Sequence, residues 1–196
     1  KSKNSDEVYD TLKQFLGFKT IPKAVFSDSA GEITSAVKSL GSCETCCTPH
    51  VPSTNGAAEN AVRKVTEGTS CGLFQSGFSH QWWNAAMRCY TFLRNVSDIQ
   101  YHGSSPYYAR HGIAFKGHRI PFGAEVHYLR FGDNTKVIRG YPFGPKTHKA
   151  LFLGYDLRPG GLWSGDYYII DADAIHNADS IRNVRALKVK DVIVPE

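Results

Sequence analysis

The sequence predicts an α/β fold in its first half, followed by a small β-rich module. Three observations lead to this. A capped amphipathic stretch, a glycine and a short apolar run open the chain as helix, turn and buried strand, half of a βαβ unit. Helical periodicity then dominates as far as Gly112. Beyond Gly112 it stops, Gly and Pro become frequent, and short strand-like runs appear between them. The boundary is expected near residue 113, dividing 1–112 from 113–196.

Element by element, Ser5 with Val8, Leu12, Phe15 and Leu16 reads as a capped helix, with Asp6 and Glu7 favourably placed for its dipole. Gly17 ends it, and Ala24-Val25-Phe26 forms a buried strand with Asp28 just past its end. Residues 33–40 are expected as a short helix and 43–48 as a second strand. The run from His50 to Gly56 is a loop by composition. Ala58, Ala61, Val62, Val65 and Thr69 follow at helical spacing, with Asn55 as the N-cap. Ser79 opens a helix with an apolar stripe of Trp83, Ala86, Met87, Tyr90 and Leu93. Ser105-Pro106 starts a short helix that Gly112 stops. The later strands are expected at 126–129, 150–155, 167–170 and 184–189, curled into a sheet or small barrel.

Hydrophobic residues at 41% and charged residues at 21% place the chain among folded globular proteins rather than disordered ones. No apolar run reaches the length needed to cross a bilayer, and the N-terminus lacks the layout of a signal peptide. Starting at Lys1 rather than Met, the chain reads as a piece of something longer. Five cysteines, an odd number without disulfide-framework spacing, point to a reducing compartment. The net charge of +5 is concentrated between residues 110 and 149. That stretch holds Arg110, Lys116, Arg119, Arg130, Lys136, Arg139, Lys146 and Lys149 against only Glu125 and Asp133. Interleaved are Phe115, Phe122, Tyr128, Phe131, Tyr141 and Phe143. Basic groups mixed with rings suit a phosphate backbone with exposed bases, or they are simply a solvated basic surface.

Two segments carry the chemistry. Phe26 to Glu32 places the carboxylate of Asp28 at the C-terminal end of a buried strand, where open α/β sheets build their sites. Thr48 to Asn60 places Glu59 in the first turn of a helix behind a Gly-containing loop. Two carboxylates on rigid elements can bridge divalent ions that hold the attacking and leaving oxygens of an in-line phosphoryl transfer. Each alone has a plainer reading: an Asp after a strand serves a turn, and a Glu in a first turn serves the helix dipole.

Ser27-Asp28-Ser29-Ala30-Gly31-Glu32 resembles the Ser-Asp-Asn-Gly-Gly-Glu of copia-type retrotransposon integrase cores. The segment from Thr48 to Glu59 resembles that family's Thr-Pro-x-x-Pro-Gln-Gln-Asn-Gly-x-Ala-Glu. The likeness continues in order through Phe92-Leu93-Arg94-Asn95, Ser105-Pro106-Tyr107-Tyr108 and Pro121-Phe122-Gly123-Ala124. It ends at Lys149-Ala150-Leu151-Phe152-Leu153-Gly154-Tyr155, similar to the hallmark strand of the family's SH3-like module. The resemblance implies the C-terminal part of an RNase H-like core, truncated at its N-terminus, followed by that module.

By the same resemblance Asp28 and Glu59 are the second and third members of an Asp-Asp-Glu triad binding two Mg2+ or Mn2+ ions. Asn55, Arg63 and Lys64 become DNA contacts, joined by Arg130, Lys136 and Arg139 of the basic segment. The partners implied are retroelement cDNA ends and target DNA, in a homo-oligomer without membrane association. The parent polyprotein is expected in the nucleus and in cytoplasmic virus-like particles.

The departures bear on activity. Thirty residues separate Asp28 from Glu59, fewer than is usual in the family. Ala30 replaces a Gly, Ser53-Thr54 replace the paired Gln, and the first Asp is expected upstream of residue 1. Without its neighbouring strand, residues 22–27 are expected to present an open edge and the first helix a poorly covered apolar face. Two rivals follow: a non-catalytic nucleic-acid-binding remnant, and a related nuclease that uses water as nucleophile. Cys43-x-x-Cys46-Cys47-x-x-His50 has zinc-like ligand types, but Cys46 and Cys47 are adjacent on an expected strand and face opposite ways. Buried free thiols are the expectation there, and Asp171-Ala172-Asp173 reads as a strand-end turn.

Overall fold

The computed structural model describes residues 4–17, 19–27, 30–46, 56–130, 143, 146–176 and 184–195. It is a mixed α/β chain that divides into two compact units, 1–64 with 157–162, and 65–156 with 163–196. Among the described residues no helix is long and apolar enough to cross a membrane.

The first unit opens with α1 (Ser5–Leu16). Its N-cap is Asn4 rather than Ser5: the Asn4 Oδ1 accepts from the Asp6 N–H at 3.2 Å, satisfying one of the donors left open by the first turn. Strand β1 (Ala24–Ser27) leads to α2 (Gly31–Leu40), and β2 (Cys43–Cys46) returns parallel to β1. Two short parallel strands need a crossover, and α2 supplies it. The helix stops because Gly41 enters the left-handed region at φ 77°, so that its own N–H and that of Ser42 bond back to Lys38 and Val37 carbonyls.

Ala36, Val37 and Leu40 are the buried face of α2, which packs against α1. Cover is thin elsewhere in this unit. No residue of α1 is buried, Phe15 is 64% exposed, and Phe26 on β1 is 53% exposed. Among the described residues β1 has β2 as its only partner strand. Among the described residues one edge of β1 has no partner strand and no side chain of α1 is buried, as expected from the sequence.

α3 (Gly56–Ser76) begins in the first unit and runs into the second. Of its expected stripe only Thr69 is buried; Ala58, Ala61 and Val62 are exposed. A 3-10 turn over His80–Trp82 precedes α4 (Trp83–Ser97). The expected stripe on α4 is corrected by one residue. Ala86, Cys89, Phe92 and Val96 are buried, whereas Trp83 is 55% exposed. α5 (Pro106–His111) keeps its expected ends: the Ser105 hydroxyl accepts from the Tyr108 N–H, and Gly112 turns left-handed at φ 69°.

After Gly112 come β3 (Glu125–Leu129), β4 (Thr147–Leu157), β5 (Trp163–Asp171), the short α6 (Ala172–His176) and β6 (Leu187–Val189). They form one sheet in the order β3-β4-β5-β6, with β3–β4 and β5–β6 antiparallel. Past β6, Ile193 exchanges both backbone hydrogen bonds with His127 of β3 at 2.8 Å. The chain thereby ties the sheet's last strand region back to its first and curls it toward closure.

The core of the second unit is aromatic. Phe92 and Tyr107 from the helices meet Phe115, Tyr155, Trp163 and Tyr167, with ring centroids 4.4 to 6.0 Å apart. Each such pair contributes about 0.5–1.5 kcal/mol beyond its buried area. The phenol tips are satisfied: Tyr155 Oη donates to the His118 carbonyl and accepts from the Ile120 N–H, and Tyr167 Oη accepts from the His118 N–H. α4 and α5 therefore share one core with the strands. The texture change near 113 marks a switch from helix to strand, and the packing divides the chain elsewhere.

Candidate functional site

The carboxylate proposed from β1 follows that strand directly. Ser27, its last residue, is 8% exposed, and Asp28 comes next in the chain but lies outside the described residues, as does Asn55. Glu59 is the fourth residue of α3 and is exposed, in the first turn where the open N–H groups and the helix dipole favour negative charge. Arg63 lies one turn further along and is exposed; its guanidinium donates to Asn60 Oδ1 at 2.9 Å. Lys64 is exposed beside it. The carboxylate of Glu59 and the two cations thus sit on the exposed first turns of one helix. Whether Asp28 and Glu59 approach one another lies outside the described residues.

The donor set suits a hard divalent cation, since carboxylate oxygens are the ligands Mg2+ and Mn2+ prefer. Among the described residues there is no group of three or more His, Cys, Asp or Glu able to hold a metal. Asp28 falls outside that set, so the pair it would form with Glu59 is neither made nor broken by this. Cys43 is a free thiol, but exposed rather than buried as expected, while Cys47 and His50 of the Cys/His run lie outside the described residues.

The basic segment resolves differently from its composition. Among its described rings, Phe122 and Tyr128 are buried and Phe115 belongs to the aromatic core. Phe143 alone among the described rings of the segment is fully at the surface, and Phe131 and Tyr141 lie outside the described residues. Several of its cations are occupied. Arg119 donates to the Val96 carbonyl, and Lys149 pairs with Glu125 at 2.9 Å, holding that carboxyl below the usual carboxylate range. Arg130 is exposed where β3 ends; Lys136 and Arg139 lie outside the described residues.

Arg130 lines a cavity of about 650 Å³ with Tyr128, Asp171, Asp173, Arg185 and Lys188. At its base the Tyr128 hydroxyl donates to the buried Asp171 carboxylate at 2.5 Å. Burial and this carboxylate together push the Tyr128 phenol well above its ordinary pKa. The other Asp171 oxygen accepts from the Asp173 N–H at 2.9 Å, the strand-end turn expected from the sequence. The tie to Tyr128 was not legible there, because it joins residues 43 apart.

Sequence reasoning also missed Glu44. It lies on β2, half-buried, and its Oε1 accepts from Ser27 Oγ at 3.0 Å and Thr34 Oγ1 at 2.7 Å. A Glu inside a four-residue strand was the available signal.

No family model matches the chain. It is similar to the catalytic core domain of BIV integrase, at 20% identity and a TM-score of 0.40, over 56% of this chain and 72% of that one. It is also similar to a chain of a simian T-cell lymphotropic virus intasome in complex with the PP2A regulatory subunit B56 gamma. There the identity is 13% and the TM-score 0.43, over 99% of this chain and 65% of the other. At these values the functional reading rests on the chain's own residues.

Proposed function

We propose that the chain is part of an integrase-type polynucleotidyl transferase of the copia-like kind, with an RNase H-like core over 1–112 and an SH3-like module over 113–196. These are units of sequence relationship rather than of packing. One observation carries the reading. The two carboxylate motifs stand in the expected order on the expected elements, Asp28 directly after a strand of a parallel β-α-β unit and Glu59 in the first turn of the helix that follows.

Asp28 and Glu59 would hold Mg2+ or Mn2+ through carboxylate oxygens, with a further Asp supplied from outside this chain. Bound ions of this kind stabilise the attacking and leaving oxygens of an in-line displacement. The protein's own part is to fix the carboxylates on rigid elements and to hold DNA. Arg63 and Lys64, one turn from Glu59, are placed for phosphates flanking the reacting bond. Arg130, with Lys136 and Arg139, would grip the duplex further along through its phosphates, which position without reading sequence. Retroelement cDNA ends and target DNA are the proposed substrates, a homo-oligomer the proposed working form. Nuclear and virus-like-particle locations follow from that reading.

The test is a strand-transfer assay with 3′-hydroxyl DNA ends and Mg2+, run on the polypeptide that includes the upstream Asp. Glu59→Gln is expected to abolish product, and product undiminished in that variant refutes the assignment. DNA binding by the chain alone is expected to fall steeply with salt and to ignore sequence. Charge reversal at Arg130, at Lys136 or at Arg139 should in each case lower the salt slope by about 1, the share of one neutralised phosphate. Salt-dependent binding without any Glu59-dependent transfer would favour the non-catalytic remnant.

A further inference from the structure

We propose that Glu44 is a positioning residue that clamps the C-terminal end of β1 and thereby sets where the chain leaves for Asp28. The inference rests on the integrase-type reading for its functional consequence, though not for its geometry. β1 and β2 are short, pair only with each other among the described residues, and leave Phe26 largely exposed. A two-stranded parallel ladder of this length holds its ends poorly, and the last residue of β1 needs another anchor.

Glu44 supplies that anchor. It stands on β2, and one oxygen of its carboxylate accepts from Ser27 on β1 and from Thr34 on α2. A single acceptor thus ties together all three elements of the β-α-β unit. Both bonds are charge-assisted and partly shielded from water, which makes them stronger than neutral surface bonds. Ser27 is buried and immediately precedes Asp28. Glu44 itself touches no reacting atom in this scheme; it acts through Ser27.

Glutamine separates positioning from charge. Its amide oxygen can accept from both hydroxyls while carrying no negative charge. The experiment compares Glu44→Ala and Glu44→Gln with the unaltered chain in two readouts. Peptide-level amide exchange over residues 24–30 is expected to quicken about tenfold or more in Glu44→Ala, as loss of hydrogen bonds to a charged acceptor implies, and to stay near the original in Glu44→Gln. Mn2+ affinity is expected to fall about 10- to 100-fold in Glu44→Ala, the range for groups that orient a metal ligand, with Glu44→Gln restoring most of it.

Should Glu44→Ala fail to fold, Ser27→Ala removes only the donor beside Asp28 and is read the same way. Exchange unchanged in Glu44→Ala and Ser27→Ala overturns the clamp. Mn2+ binding lost equally in Glu44→Gln and Glu44→Ala also overturns positioning, because charge then matters and hydrogen-bond geometry does not. If the exchange pattern holds but the unaltered chain, like Asp28→Asn, binds no Mn2+, the clamp stands and the metal-site reading fails.

Discussion

Gly68 offers the sharpest test of the helical packing. It sits in the interior of α3, where replacing Gly by Ala ordinarily stabilises a helix by about 1 kcal/mol. Here a Cβ would stand 2.0 Å from Cζ of Tyr90, 2.3 Å from Cε2 and 2.4 Å from the hydroxyl oxygen. Non-bonded carbons rest near ~3.5–4.0 Å, so the ring must swing aside. Overpacking of this kind costs about 1–3 kcal/mol, and subtracting the helix gain leaves Gly68→Ala destabilising by roughly 0–2 kcal/mol. A drop of up to about 10 °C in Tm follows for a unit of this size. Tyr90→Ala removes the obstacle, so in that background Gly68→Ala should stabilise by about 1 kcal/mol and the two changes should couple by about 1–3 kcal/mol. Urea unfolding followed by tryptophan fluorescence reads the right part of the chain, because Trp82, Trp83 and Trp163 all lie in the second unit with Gly68 and Tyr90. Gly68→Ala stabilising the otherwise unchanged protein would show that α3 and α4 do not meet at this point.

Two further outcomes follow from single side chains. Cys89 is 1% exposed and burial pushes its thiol up to about 12, so at pH 8 it should resist maleimide while exposed Cys43 and Cys71 label. Peptide mapping before and after denaturation checks this, and early labelling at Cys89 would contradict the core. Asp156 accepts from Lys188 Nζ at 2.6 Å and from the Tyr168 hydroxyl at 2.7 Å, which lowers its carboxyl to about 2. Its folded pKa lies below its unfolded value, so its contribution is complete above about pH 4 and is lost as pH falls through about 2. Unfolding midpoints between pH 2 and 6 should therefore slope less steeply in Asp156→Asn than in the original; identical slopes would remove the pair from the stability of the sheet.

Much of the fold was legible because its signals are local. Caps, left-handed glycines and apolar runs each act within a few residues, so α5 with Ser105 and Gly112 emerged with its ends in place. The four strands described after Gly112 overlap the four expected runs for the same reason. Where the reading failed, burial was decided by partners far away in sequence. On α4 a stripe through Trp83, Met87 and Tyr90 and one through Cys89, Phe92 and Val96 both fit helical spacing. The second is buried because Phe92 has Tyr107, Phe115 and Tyr155 to meet. A small cysteine in that stripe looks weaker than a tryptophan, yet it is the side chain that fits where its thiol faces the Ile120 carbonyl. On α3 the apolar spacing is real, but little of the helix's first half is covered.

The candidate site divides along the same line. Asp28 and Glu59 could be singled out because each motif is contiguous and declares its own strand end or helix start. Glu44 could not, because its role exists only once a parallel register places β2 beside β1 and α2 crosses over with Thr34. The basic segment misled in the opposite direction. Composition put its rings beside its cations, but alternation along β3 sends Val126 and Tyr128 inward and leaves Leu129 outside, while Arg130 is exposed just past the strand. Tyr128 is buried although it lines the same cavity as the exposed Arg130. Among the described rings of the segment only Phe143 is fully at the surface, so a nucleic acid there would meet more cations than rings. It would then be held by counterion release rather than by base stacking, and a single-stranded ligand should gain little over a duplex of equal charge.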